Sequence, residues 1–329
     1  MAMVRGVMRT MRSRCARVAA GVAVFALALG ASGCSLMTPS LEEAESAATQ
    51  QTVDDSLLVQ PGTLTVALDT TDAPQVMTGN DGELTGYDIE VASAIAQNMG
   101  LKVAFVNAAS PSKALDSGEA DIYLGATASD ESGDITVNGE FLQNATAVFG
   151  VSNGAQGATT TVTASDLGSA RVGVQDGSSS QEALARVGIV ASNTYQNVNE
   201  CFEALASGEV DYVACDATAG GYLSRSYENM FFVGVISSST SYGIAYRSSA
   251  SDLAEQVEST FDSLATDGTL DAIHQIWYGS VPLSTSSEVL SGVTVSSGDD
   301  SGESGSEGAD SASSGDDEPV ITDDINSLN

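Results

Sequence analysis

The chain has 329 residues, with a single histidine, a single tryptophan, six prolines, and only 11 Lys+Arg against 44 Asp+Glu. The lone His274 leaves no histidine cluster for zinc and argues against Ser-His-Asp or Cys-His catalysis. A net charge of −33 argues against nucleic acid as a partner, because neutralising phosphates needs a basic surface. Beyond the first 33 residues no segment is apolar for long enough to cross a bilayer. What remains is an acidic chain with 42% hydrophobic residues, enough for one two-lobed domain or two ordinary ones.

The charge is uneven. Residues 1–33 hold five Arg (Arg5, Arg9, Arg12, Arg14 and Arg17) and no acid, whereas residues 284–329 hold 11 acids and no base. Between them, 34–283 still carries 6 basic against 33 acidic residues, so the acidity belongs to the folded part as well. Solubility through self-repulsion is one reading, and attraction of cationic ligands is the other.

The five Arg precede an apolar run from Val18 to Ala31 and then Ser32, Gly33 and Cys34. A basic start, a short apolar stretch and small residues at the cut describe a secretory signal over 1–33. Ala31 to Cys34 resembles a bacterial lipobox, which implies lipidation of Cys34 and a membrane anchor by acyl chains, with the protein body outside the cytoplasm. A plain signal peptide with an incidental Cys34 is the alternative. Cys15 would leave with the signal, leaving Cys201 and Cys215. Cys201 opens a helical pattern and Cys215 closes the following strand, so the pair is expected either as a disulfide or as two buried thiols.

Residues 34–58 read as a tether. The Ser, Gly, Asp and Glu of 284–329 read as a disordered acidic tail, unable to bury enough apolar surface to offset its ordering entropy. Between them strands and helices alternate. Strands are expected at 63–69, 102–106, 121–124, 170–175, 211–215 and 242–246, with helices at 87–99, 114–118, from 181, at 200–207, 251–265 and 269–277. That alternation means α/β layers with a largely parallel sheet, in two systems separated near 148–150.

Gly86, Tyr87, Asp88, Ile89, Glu90 and Val91, with Ala92, Ile95 and Ala96 on one helix face, resemble the signature of the bacterial family 3 extracellular solute-binding proteins. Leu115 to Asp121, Val172 to Ser179, Leu205 to Asp216, Tyr242 to Ala245, and Asp267 through Gly279 resemble further family segments in the family's order. The resemblance implies an α/β, two-lobed periplasmic-binding-protein-like fold of type II, its lobes joined by two crossing strands. Lobe one would be 59–148 plus 242–283 and lobe two 149–241. It also implies a small-molecule ligand between the lobes, an ABC transporter permease as partner, no cofactor and no metal, and a monomer.

By the same resemblance, Asp69 and Asp216 would favour a ligand ammonium, while Thr127, Ser129, Ser178 and Ser179 would supply neutral hydrogen bonds. Turn formation and helix capping are the competing roles for Asp69, Asp216 and Ser178. Two departures stand out. Where the family places an Arg for the ligand carboxylate, the chain reads Ser132 or Gly133, with no Lys or Arg between Lys113 and Arg171. Where an aromatic usually stacks on the ligand, it reads Asp72, with Gln75 nearby. An unpaired carboxylate in a closed cleft is costly, so the expectation is a ligand with net positive charge, amine-bearing and amino-acid-like. The alternatives are a surface interaction or sensory protein with a degenerate cleft, and an enzyme using carboxylates such as Asp72 and Asp216.

Overall fold

The strand at Thr63–Leu68 (β1) is buried at all six positions, as a central parallel strand covered on both faces should be. In a computed structural model describing residues 50–79, 81–152 and 162–295, β1 lies between β4 (Lys102–Asn107) and β5 (Ile122–Ala126), parallel to both. β12 (Thr240–Arg247) and β6 (Ile135–Asn144) complete that sheet in antiparallel pairing, in the order β4-β1-β5-β12-β6. A hairpin of β2 (Met77–Thr78) and β3 (Leu84–Thr85) stands apart from it. The second sheet runs β11 (Met230–Val235), β7 (Thr146–Val151), β10 (Tyr212–Asp216), β8 (Val172–Gln175), β9 (Asn193–Tyr195).

The helices follow the strands. In lobe one, α1 (Tyr87–Asn98) and α2 (Pro111–Asp116) cover the first sheet. In lobe two, α3 (Ala164–Ser169), α4 (Ser179–Arg186), α5 (Val198–Ser207) and α6 (Ala217–Ser224) flank the second. The chain passes between sheets twice, at Ala145 and over residues 236–239, then returns through α7 (Ser251–Thr266) to α8 (Thr269–Tyr278). The first crossing therefore falls a few residues before the 148–149 boundary expected from sequence. α8 touches both lobes: Tyr278 lies 5.1 Å from Tyr87 of α1, and Trp277 stacks on Tyr222 of α6 at 6.0 Å between ring centroids.

Three expectations need correction. The supposed tether 34–58 is anchored at its end, because Val53 and Leu58 are buried and Thr52 N donates to Met99 O at 3.1 Å. The supposed tail does not begin at 284. Thr285 is fully buried, and Gln143 Oε1 accepts from Ser284 Oγ, Thr285 N and Ser286 N at 3.0, 2.9 and 3.2 Å. The chain then pairs with the edge of the second sheet, Leu290 N donating to Val235 O at 2.9 Å, and Leu290 enters the lobe-two core. Two apolar residues, Val289 and Leu290, within a polar stretch suffice for this because an open strand edge offers unpaired backbone groups. Finally, Cys201 and Cys215 are free buried thiols and not a disulfide; burial pushes the Cys201 thiol up to about 11 and Cys215 well above its ordinary value. The signal over 1–33, Cys34, the start of the tether and residues 296–329 lie outside the described residues.

His274 is a structural residue, buried with Nε2 2.9 Å from Val281 O. Desolvation holds it below its ordinary pKa, and therefore neutral. No helix among the described residues is long and apolar enough to cross a membrane.

Candidate functional site

Ligands of open α/β sheets sit beyond the carboxyl ends of the parallel strands. Here the ends of β1, β5, β8 and β10 carry the residues singled out above. Past β1, Asp69 builds a tight turn: its Oδ1 accepts from Thr71 N at 2.9 Å and from Thr71 Oγ1 at 2.7 Å. That turn presents Asp72, open to solvent along part of its surface while neighbouring groups crowd its carboxyl, above Gln75, which is buried. Gln75 Nε2 stands 3.5 Å from Asp72 Oδ1. The 72–76 loop is held from behind by α1, because Asp88 N donates to Gln75 O at 3.1 Å. Gly86 permits that approach; its φ is 143°, and any Cβ there would overlap the Gln75 carbonyl.

Past β10, Asp216 occupies the N-cap position of α6 yet makes no capping hydrogen bond. The crossing segment caps the helix instead, with Ala217 N donating to Ala145 O at 2.9 Å and Thr218 N to Asn144 Oδ1 at 3.3 Å. The Asp216 carboxylate is thus left exposed at the sheet end, unspent on local structure. It faces lobe one closely enough to act on Asp72, whose carboxyl is raised to about 6 first by desolvation, then by Asp69 and Asp216. Desolvation alone raises Asp216. Among the described residues no basic side chain lowers either group.

The neutral positions are more occupied than expected. Thr127 N and Oγ1 donate to Asp130 Oδ2 at 2.8 and 3.1 Å, and Thr127 Oγ1 lies 2.7 Å from Ser129 Oγ, so these three residues close on one another in a short 3-10 turn. Ser178 caps α4: its Oγ accepts from Gln181 N at 3.2 Å and donates to Gln175 O at 2.7 Å. Gly177 N donates to Gln181 Oε1 at 2.7 Å. The capping role therefore accounts for Ser178, while Ser179 stands exposed in the first turn.

Three further residues join the site that sequence reasoning did not single out. Asp88 is wholly buried, raised well above an ordinary carboxyl by desolvation and then by Asp72, and has Oδ1 unpaired. Tyr123 on β5 is raised by burial and then by Asp69, Asp130, Asp72 and Asp88. Tyr278 has a buried, unpaired hydroxyl on which Asp88 and Asp72 both act. The acid of Gly86-Tyr87-Asp88 looks from sequence like a first-turn helix acid, and Tyr278 lies some 190 residues further along, so neither advertised a place in the cleft. The arrangement can bind positive charge. It offers no histidine, lysine or arginine to work beside its carboxylates.

The sequence profile of the "Bacterial extracellular solute-binding proteins, family 3" matches residues 64–136. Over 234 residues the chain is 30% identical to the L-cystine-binding protein TcyJ of Escherichia coli K12, covering 66% of this chain and 83% of that protein. The fold is similar to a polar amino acid ABC uptake transporter substrate-binding protein from Streptococcus thermophilus. That match has a TM-score of 0.60 at 18% identity, over 70% of this chain and 90% of the other. It is also similar to the unliganded, open L-cystine solute receptor of Neisseria gonorrhoeae. There the TM-score is 0.55 at 19% identity, over 68% and 95% of the two chains.

Proposed function

The chain belongs to the bacterial extracellular solute-binding proteins, family 3, and from that premise we propose that it captures a small, polar, amine-bearing solute between its lobes. It is a solute receptor working outside the cytoplasm with an ABC transporter, and not an enzyme. In our reading Asp69, Asp72, Gln75 and Asp216 hold the ligand, with Thr127, Ser129 and Ser179 at the rim and Ser178 shaping the loop.

One observation carries this reading. Asp216 is released from capping α6 and faces Asp72 across the cleft, and no basic residue compensates either. Desolvation first, and then Asp69 and Asp216, raise the proton affinity of Asp72, and carboxylates placed in this way attract a cation. The relative's L-cystine is an amino acid with carboxylates of its own, and this cleft offers none of the usual cationic grip for them.

The reading extends to the rest of the chain. Residues 1–33 export it, Cys34 carries the lipid anchor, and the receptor works as a monomer. Lobe one is formed by 52–145 and 240–283, and lobe two by 146–236 with the docked segment 284–295. The spent Ser178 and the missing Arg favour a second reading, in which the cleft is degenerate and the protein serves surface interaction or sensing. A thermal-shift screen against amino acids, polyamines, quaternary amines and small peptides separates the two, since a ligand of the native state raises the melting temperature by mass action. Shifts with cationic amines support capture. Silence across the panel supports the second reading.

A further inference from the structure

Buried polar groups without partners are uncommon in folded chains, and each calls for an explanation. Of six among the described residues, three belong to the surroundings of Asp72. Gln75 Oε1, Asp88 Oδ1 and the Tyr278 hydroxyl are all buried and unpaired, and each stands behind or beside Asp72. Gln75 reaches Asp72 through its amide nitrogen at 3.5 Å. The Asp72 charge acts on both Asp88 and Tyr278. Asp88 and Gln75 are themselves joined by the Asp88 N to Gln75 O hydrogen bond at 3.1 Å. At its unpaired atom Gln75 can only accept, whereas Asp88, whose burial favours the protonated acid, is not confined to accepting. A group bearing several N–H donors and a positive charge suits the Gln75 oxygen and the neighbouring Asp72 carboxylate together.

The charge count points the same way. Asp69, Asp72 and Asp216 present carboxylates to one cleft from two lobes, and a single ammonium neutralises one of them. A metal ion does not fit the arrangement: among the described residues no three His, Cys, Asp or Glu side chains are placed to hold one. A ligand carboxylate would enter facing these acids with no cation to receive it.

Resting on the reading above, we propose that the ligand is a compact dication without a carboxylate, an α,ω-diamine or an amino-guanidine. One cationic group sits at Asp72, beside the Gln75 side chain. The other sits at Asp216 of the facing lobe. The two-lobed closure then works as a clamp, because each end of the ligand engages a different lobe.

Titration calorimetry of the purified protein tests this with 1,3-diaminopropane, 1,4-diaminobutane, 1,5-diaminopentane and agmatine, set against butylamine, L-lysine and L-cystine. At least one dication is expected to bind roughly 30-fold more tightly than butylamine, from the added charge-assisted hydrogen bonds. Asp72→Asn should bring that dication down to the level of butylamine. Thermal unfolding checks that the variant is folded, which is expected because it removes a carboxyl crowded by its neighbours. Butylamine binding as tightly as every dication overturns the dication while leaving amine capture standing. Tighter binding of L-lysine or L-cystine overturns the exclusion of carboxylates. Binding of none of these amines overturns both the inference and the capture reading beneath it.

Discussion

Acidification is expected to empty the cleft, and the Asp72 carboxyl sets the range. With its midpoint raised to about 6, Asp72 is almost wholly ionised at pH 8. At pH 5 about one carboxyl in eleven is ionised. A ligand that requires the charged form therefore loses about tenfold in affinity between the two pH values. Asp216 and Asp88 are shifted in the same direction, so neither offsets the fall. Aliphatic amines stay protonated throughout this range, so the change belongs to the protein. Calorimetry with 1,4-diaminobutane at pH 8 and pH 5 measures it. Repeating the titration at pH 6 in buffers of different ionisation enthalpy counts the protons released, expected to be about half a proton from Asp72. Without ligand the sign reverses: the folded state binds this proton more readily than the unfolded chain, so stability rises as pH falls through about 6 toward the usual carboxylate range. Affinity that stays constant or rises on acidification refutes the argument that Asp72 is an ionised ligand group.

Three further outcomes follow from the same structure. Gln143→Met keeps the volume of the side chain but removes the oxygen that accepts from Ser284, Thr285 and Ser286; about 2 kcal/mol of stability should be lost in urea unfolding, and an unchanged midpoint and slope would mean that the segment is held elsewhere. Leu290→Ala empties a side chain only 6% exposed in the lobe-two core and should cost about 2–4 kcal/mol by thermal unfolding, whereas a cost near zero would mean that 284–295 does not dock. Cys201, its thiol pushed up to about 11 by burial, and Cys215, raised well above its ordinary value by burial, should resist iodoacetamide in the native protein and alkylate fully on unfolding without reductant. Peptide mass spectrometry reads this, and a linked Cys201–Cys215 peptide would contradict the free thiols.

Much of the α/β frame was legible because its signals are local. β1, α1, β4 and β5 follow from apolar spacing and from Gly100 and Gly118 at the ends of helices, and each forms where the pattern puts it. β6, β7 and β11 were not foreseen. Their pairings are antiparallel and non-local, β6 with β12 and β7 with β10 and β11, and nothing in their own residues announces the partner strand. The docked segment 284–295 was missed because composition averages over a window. Val289 and Leu290 are outweighed by Ser and Gly there, although an open sheet edge and one glutamine suffice to fix them. At the site, Asp69, Asp72, Gln75 and Asp216 were readable as loop residues at strand ends. Asp88 and Tyr278 were not, since their place depends on how α1 and α8 pack.

The first crossing explains why binding and hinge geometry belong together here. Gln143 and Asn144 are neighbours in sequence and act in opposite directions. Gln143 Oε1 gathers the docked segment at 284–286, while Asn144 Oδ1 takes the amides of Ala145 and Thr218. The second bond caps α6 from the end of β6, where Asp216 makes no capping bond; on the proposed reading this leaves Asp216 free for a ligand. Rotation at Ala145 would disturb the cap, and a helix end deprived of its cap recruits the nearest acceptor. The nearest acceptor in sequence is Asp216 itself. If Asp216 is the ligand group proposed above, a cation that engages it withdraws it from that competition, and ligand binding and the orientation of the lobes are then expected to be coupled through the capping bonds from Asn144 and Ala145.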